Sequence, residues 1–142
     1  MTTRADLIAE ARTWVGTPFV HQARARGVGV DCIGLIVGAV QGCGLAVDDR
    51  ADYARTPHAG ELARELGAQL ERIDVADAAP GDVVLIAWRR APMHVGLLTD
   101  YPHGGLALLH AIETIGRVVE HRLDDGWRRL IVAAYRVPGL ED

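Results

Sequence analysis

Cys32 stands at the head of an apolar run, Val30-Asp31-Cys32-Ile33-Gly34-Leu35-Ile36-Val37, and the pattern predicts that a helix begins there. A helix start carries partial positive charge and unsatisfied backbone N–H groups, which favour a thiolate over a thiol. Nucleophilic thiol chemistry also needs a histidine within hydrogen-bond reach and a polar group to orient that histidine. Of the six histidines, His94 and His110 fall in strand-like segments, His94-Val95-Gly96-Leu97-Leu98 and Leu108-Leu109-His110-Ala111. Antiparallel pairing across the Tyr101–Gly105 turn would bring them near one another, in a register the sequence leaves open. Gly96 leaves room for close approach by another chain or by substrate. Each residue also has a plain structural reading. A cysteine at a helix start is often a small buried hydrophobe, and a histidine among apolar strand residues is often a satisfied core residue. His21 could line a cleft near Cys32. His58 and His103 read as solvated loop residues, and His121, between Glu120 and Arg122, reads as surface.

The elements that must position these groups are legible in outline. Thr2 or Thr3 can cap a helix from about Arg4 to Val15, with Leu7, Ile8, Ala11, Trp14 and Val15 at helical spacing. Gly16-Thr17-Pro18 stops it. After an irregular stretch from Phe19 to Val30, Asp31 caps a second helix to about Gly42, whose Gly34, Gly38 and Ala39 allow a close neighbour. Asp48 to Gly60 reads as a loop and Gly60 to Arg72 as an amphipathic helix. Ala79-Pro80-Gly81-Asp82 is a turn. Strands are expected at 83–88, 94–99, 106–112, 117–123 and 130–137, joined by short turns that suit antiparallel neighbours. Helices first and a strand meander after is the α+β pattern, here one domain over residues 1–142.

Composition excludes several other chemistries. A chain of 142 residues can bury a core without metal or disulfide staples. The formal charge of −4 leaves no footprint for nucleic acid. Lysine is absent, which removes a Walker A loop, a Schiff base and any lysine general base; no Gly-x-Gly-x-x-Gly turn follows a strand. If Cys32 and Cys43 share one helix they lie roughly 16 Å apart, too far for a disulfide, and two cysteines cannot make a zinc ribbon. Met1 to Glu10 does not resemble a secretory signal and no apolar run reaches the length of a membrane span, so synthesis as a soluble cytoplasmic product is expected.

Five segments in order, Gly16-Thr17-Pro18-Phe19, Asp31-Cys32-Ile33-Gly34-Leu35, Pro80-Gly81-Asp82-Val83-Val84, His94-Val95-Gly96-Leu97 and His110-Ala111, resemble the successive motifs of the NlpC/P60 cysteine peptidases. The resemblance runs from about Leu7 to Pro138. His21-Gln22-Ala23, Gly27-Val28-Gly29 and Gly116-Arg117-Val118-Val119-Glu120-His121 look most like the subgroup associated with phage tails and gene-transfer particles. The resemblance implies a papain-like α+β fold, N-terminal helices on a C-terminal antiparallel sheet of about five strands. It makes Cys32 the nucleophile, His94 the general base and His110 the residue that orients it. It implies no metal or organic cofactor. The implied substrate is a peptidoglycan stem peptide, with other phage tail proteins as partners and a virion or tail-like particle as destination. Ile33 stands where many members have serine. Phe19 stands where many have tyrosine, so a hydroxyl contact to substrate is lost, and His21 or Gln22 are candidates to replace it. Asp31 either meets a substrate amine or caps the helix, the cap being favoured. Two rivals follow: a structural tail-tip protein without catalysis, and a CHAP-type amidase cutting between sugar and peptide.

Overall fold

A computed structural model describes residues 1–49, 60–88 and 91–142. The elements in chain order are α1 (Arg4–Arg12), β1 (Arg24–Ala25), β2 (Gly29–Val30), α2 (Cys32–Gly42), α3 (Glu61–Gln69), β3 (Glu71–Ile73), a 3₁₀ turn (Val75–Asp77), β4 (Val83–Trp88), β5 (Ala91–Asp100), β6 (Leu106–Ile112), β7 (Arg117–Arg122), α4 (Asp125–Arg128) and β8 (Ile131–Arg136). His58, and most of the loop read between Asp48 and Gly60, lie outside the described residues.

The main sheet has six strands in the order β3-β8-β4-β5-β6-β7, every neighbour antiparallel. The strand beyond the expected set is β3. The Leu62/Leu66/Leu70 spacing extends the helical pattern through this stretch, yet Leu70 is extended (φ −118, ψ 162) and Glu71–Ile73 pair with the edge of β8. The open backbone of that edge outweighs three residues of helical preference. At the other end α1 stops at Arg12, because Trp14 and Val15 bond back three residues rather than four, tightening the last turn.

Both faces of the sheet are covered, which explains why its strands read as apolar runs rather than alternations. On one face Val83, Leu85, Leu97, Leu109 and Tyr135 meet Leu7, Ala11 and Leu35 of the helices. On the other, Val84, Ile86, Leu98 and Leu108 pack with Leu123 and Trp127. Helix α2 lies close to its neighbours because it has glycine where they press. A Cβ at Gly38 would strike the Trp14 ring, and one at Gly34 would come within 2.7 Å of the Ala23 carbonyl oxygen.

The Pro80-Gly81-Asp82 turn has a structural task. Asp82 is fully buried and accepts from Arg136 at 2.8 Å and from the Ala79 N–H at 2.9 Å, with Arg4 at 2.8 Å. Burial acts to raise its pKa, but the bonds from Arg136, the Ala79 N–H and Arg4 carry it below the usual carboxylate value. The first helix, the turn and the last strand are thereby tied at one carboxylate. Removing one partner of such a buried ionic group costs about 3–5 kcal/mol. Because Arg4 and Arg136 keep some contact with water, 13% and 38% of their side chains, Asp82→Asn is expected at the low end of that range. A urea midpoint unchanged from wild type would show the ion cluster to be dispensable.

Candidate functional site

The thiol is placed by a strap and a cap. Residues 16–19 lie along the start of β7: Gly16 N–H donates to the Val118 carbonyl at 2.9 Å, Val118 N–H to that of Thr17 at 2.9 Å, and Phe19 N–H to that of Gly116 at 2.8 Å. Val30 then pairs beside Phe19, which delivers Asp31 and Cys32 to the head of α2. Asp31 is 2% exposed. One oxygen accepts from Gly34 N–H at 2.8 Å and Arg24 at 3.0 Å, and the other from Gln22 N–H at 2.7 Å. Asp31 is thus a helix cap and loop anchor that presents almost no surface to a substrate. It also holds Gln22 in the left-handed region (φ 63), which a non-glycine residue adopts only under restraint. His21 lies at the same carboxylate, its Nδ1 4.0 Å from Asp31, with 21% of its side chain exposed. Phe19 is half-buried against the helix-side core.

The histidines are placed by sheet register. Leu97 pairs with Leu109 and Leu98 with Leu108, so continuing that register puts Gly96 opposite His110 and His94 one pleat further along on the same face. Gly96 is required there, because a Cβ would meet Leu108 Cδ1 at 2.6 Å and His110 Cβ at 3.3 Å. His94 Nε2 lies 2.8 Å from His110 Nδ1. Both residues are buried, at 3% and 0% exposure. His121, read from sequence as surface, is instead half-buried: its Nε2 is 2.9 Å from His110 Nε2, and its Nδ1 is 2.9 Å from the Arg122 carbonyl. Trp127 of α4 stands edge-on to His110 with ring centroids 5.0 Å apart. The alternation Val119, Glu120, His121 would have placed His121 on the His110 face had the register been known.

Cys32 lies against β5 at the residue that follows His94: the Val95 N–H points at the Cys32 sulfur together with the N–H groups of Ile33 and Cys32. Those donors and the helix start favour the thiolate, as the sequence suggests. Burial of the thiol is the larger effect and, with the Asp31 carboxylate adding to it, pushes Cys32 up to about 12. Burial likewise moves His94 down to about 4. Burial, then the charges of His94 and His121, carry His110 down to about 2. Burial of these groups thus acts against a preformed ion pair, while the donors at the helix start act for one. Cys32 alkylation by iodoacetamide in a Cys43→Ser background should be slow near neutrality and still rising above pH 9. A plateau reached below pH 7 would mean that burial does not govern this thiol.

Ile33 and Val95, the residues that follow Cys32 and His94, also line a cavity of about 340 Å³ with Ile36, Val37, Leu62 and Leu66. Among the described residues no cluster of His, Cys, Asp and Glu is arranged to hold a metal, and no helix is long and apolar enough to cross a membrane.

Solved structures similar to this chain include the NlpC/P60 domain of the peptidoglycan hydrolase SagA, at 21% identity and TM-score 0.68 over 96% of this chain and 100% of that one. The peptidoglycan hydrolase RipB of Mycobacterium tuberculosis matches at 18% and 0.65, over 98% and 65%. A lipoprotein-like NLP/P60 protein of Staphylococcus aureus matches at 18% and 0.66 over 98% of this chain, which spans 42% of that protein's length. No curated protein matches the sequence. At these identities the likeness is one of fold: helices on an antiparallel sheet. The NlpC/P60 family model matches residues 16–136, from the strap that seats Cys32 through both histidine strands to the end of β8, and the chain belongs to the NlpC/P60 family.

Proposed function

We propose that this chain is a cysteine hydrolase that cuts peptide bonds in peptidoglycan stem peptides. The observation that carries this reading is the convergence at one helix start of Cys32 with the Val95 N–H, next to a buried His94–His110 pair at 2.8 Å. Family membership over residues 16–136 supports the cell-wall substrate, as does the likeness to proteins that are peptidoglycan hydrolases. In this mechanism Cys32 Sγ attacks the scissile carbonyl as His94 takes the thiol proton, because burial disfavours the charged form of each group. The Cys32 N–H at the head of α2 donates to the developing oxyanion. His94 then returns the proton to the leaving amine, and water attacks the thioester with His94 again as base. His110 orients His94, and His21 and Phe19 of the strap meet the substrate. The resemblance of the 21–23, 27–29 and 116–121 segments supports a role for this activity within a phage-tail-like particle.

The test is digestion of purified, peptide-cross-linked wall fragments followed by mass analysis of the products. New amino and carboxyl ends within the stem peptide are expected. Release of intact stem peptide from the sugar would make the chain an amidase, and no product from freshly reduced protein would favour a structural tail component.

A further inference from the structure

The three histidine rings form one directional chain, and its direction is set at the end furthest from the thiol. A backbone carbonyl only accepts hydrogen bonds, so the contact of 2.9 Å between His121 Nδ1 and the Arg122 carbonyl requires a proton on His121 Nδ1. A ring that carries its single proton there has its lone pair at Nε2, and His110 then donates to His121 from Nε2 across 2.9 Å. Neutral His110 is left with a lone pair at Nδ1, so His94 must donate from Nε2 across 2.8 Å. His94 therefore keeps its lone pair on Nδ1, the nitrogen that can take a thiol proton. The reverse arrangement, with every proton moved to the other side of its ring, would place N–H on His94 Nδ1 and abolish the base. It would also set His121 Nδ1 lone pair against carbonyl lone pair. Trp127, with centroids 5.0 Å from His110 and 5.6 Å from His121, packs against these two rings and restrains their rotation.

We propose that His121, seated on the Arg122 carbonyl, is a positioning residue that selects the Nε2–H tautomer of His94 through His110 and so leaves the Nδ1 lone pair of His94 to act as the base. When His94 accepts the thiol proton its Nε2–H becomes a charge-assisted donor, and the same chain disperses the charge toward the Arg122 carbonyl. His121 touches no reacting atom in this scheme. Its contribution is made through His110.

This inference rests on the proposed thiol mechanism for its kinetic consequence but not for its structural one, and the two are measured separately. Imidazole ¹⁵N shifts of the ¹⁵N-histidine-labelled full chain report which nitrogen of each ring is protonated. In wild type His94 and His110 are expected as Nε2–H tautomers and His121 as Nδ1–H. His121→Phe removes the acceptor for His110 and should give His94 shifts that indicate mixed tautomers. His121→Gln, whose amide oxygen can accept from His110 while its amine donates to the Arg122 carbonyl, should restore the wild-type shifts. On wall fragments, His121→Phe is expected to lower kcat about 10–100-fold, the weight of a hydrogen bond to a charged group, with KM within about twofold. His121→Gln should recover most of that loss. A wild-type spectrum showing His94 as the Nδ1–H tautomer would overturn the proposal without any variant, as would His94 shifts identical in wild type and His121→Phe. Correct tautomers in a wild-type chain that cleaves nothing would count against the proposed activity and leave the relay standing.

Discussion

Cys32→Ala should abolish cleavage of wall fragments, lowering kcat by about 10³–10⁶-fold, and His94→Gln should fall in the same range, since nucleophile and base act as a unit. The reason is specific to this site. Burial pushes the Cys32 thiol up to about 12 and His94 down to about 4, which favours attack in which the histidine takes the thiol proton over attack by a standing thiolate. The double variant should therefore be no slower than either single one. His110→Phe leaves the buried His94 Nε2–H without its acceptor 2.8 Å away. A loss of about 10²–10⁴-fold is expected there, because a base held in the wrong tautomer is nearly as damaging as no base. All of these variants should keep the wild-type urea midpoint to within what removal of one buried side chain allows. If Cys32→Ala retained a tenth of the activity, another nucleophile would have to be found. If His94→Gln were harmless, proton transfer would run through some other group.

The contrast between what sequence reasoning reached and what it missed follows the range of the interactions involved. Asp31 as a cap and Gly34 and Gly38 as close-approach positions depend on residues within a few positions, or on a steric need that glycine announces. They stand in the structure as read. So do the apolar strands, whose runs need only to be buried on both faces. Edge strand β3 was hidden, because whether residues 71–73 extend a helix or join a sheet depends on the unpaired edge of β8, more than sixty residues away. The one-turn helix Asp125–Arg128 falls among the short turns expected between strands, although it is what brings Trp127 to the histidines. His121 was misjudged for a related reason. Its chain neighbours Glu120 and Arg122 suggest solvent, but Glu120 points to Arg12 and Thr99 at 3.0 and 2.6 Å while His121 turns the other way, toward His110. Register, not composition, decides that. Burial opposes the effect of the helix start on Cys32, and it was not legible because a helix start is a local feature whereas burial is a property of the whole fold.

Acidification should destabilise this chain before most of its carboxylates titrate, because burial disfavours the charged form of two imidazoles inside it. In the unfolded chain each histidine gains a proton as pH falls below about 6.5. In the folded chain His94 does so only near 4 and His110 only near 2. Between those limits the unfolded state binds more protons, so stability falls as pH falls, by about 1.4 kcal/mol per pH unit for each histidine. Above about pH 7 both states are neutral at these rings and the effect vanishes. Asp82 acts in a separate window. Its folded pKa is depressed, so its contribution is complete above about pH 4 and is lost only as pH falls further. Urea midpoints at pH 7, 6 and 5 should therefore drop steeply in wild type, with His94→Gln and His110→Gln each removing about half of the slope. With total stabilities of about 5–15 kcal/mol for folded domains, such a slope brings spontaneous unfolding within reach near pH 4. A wild-type midpoint that held level from pH 7 to pH 5 would mean that these rings take up protons in the folded state. His94 could then rest as one half of an ion pair with Cys32, and proton transfer would precede the attack on the substrate instead of accompanying it. The cost in acid stability and the need for a base that is neutral at rest are two measurements of one fact, the dryness of the sheet face that holds His94.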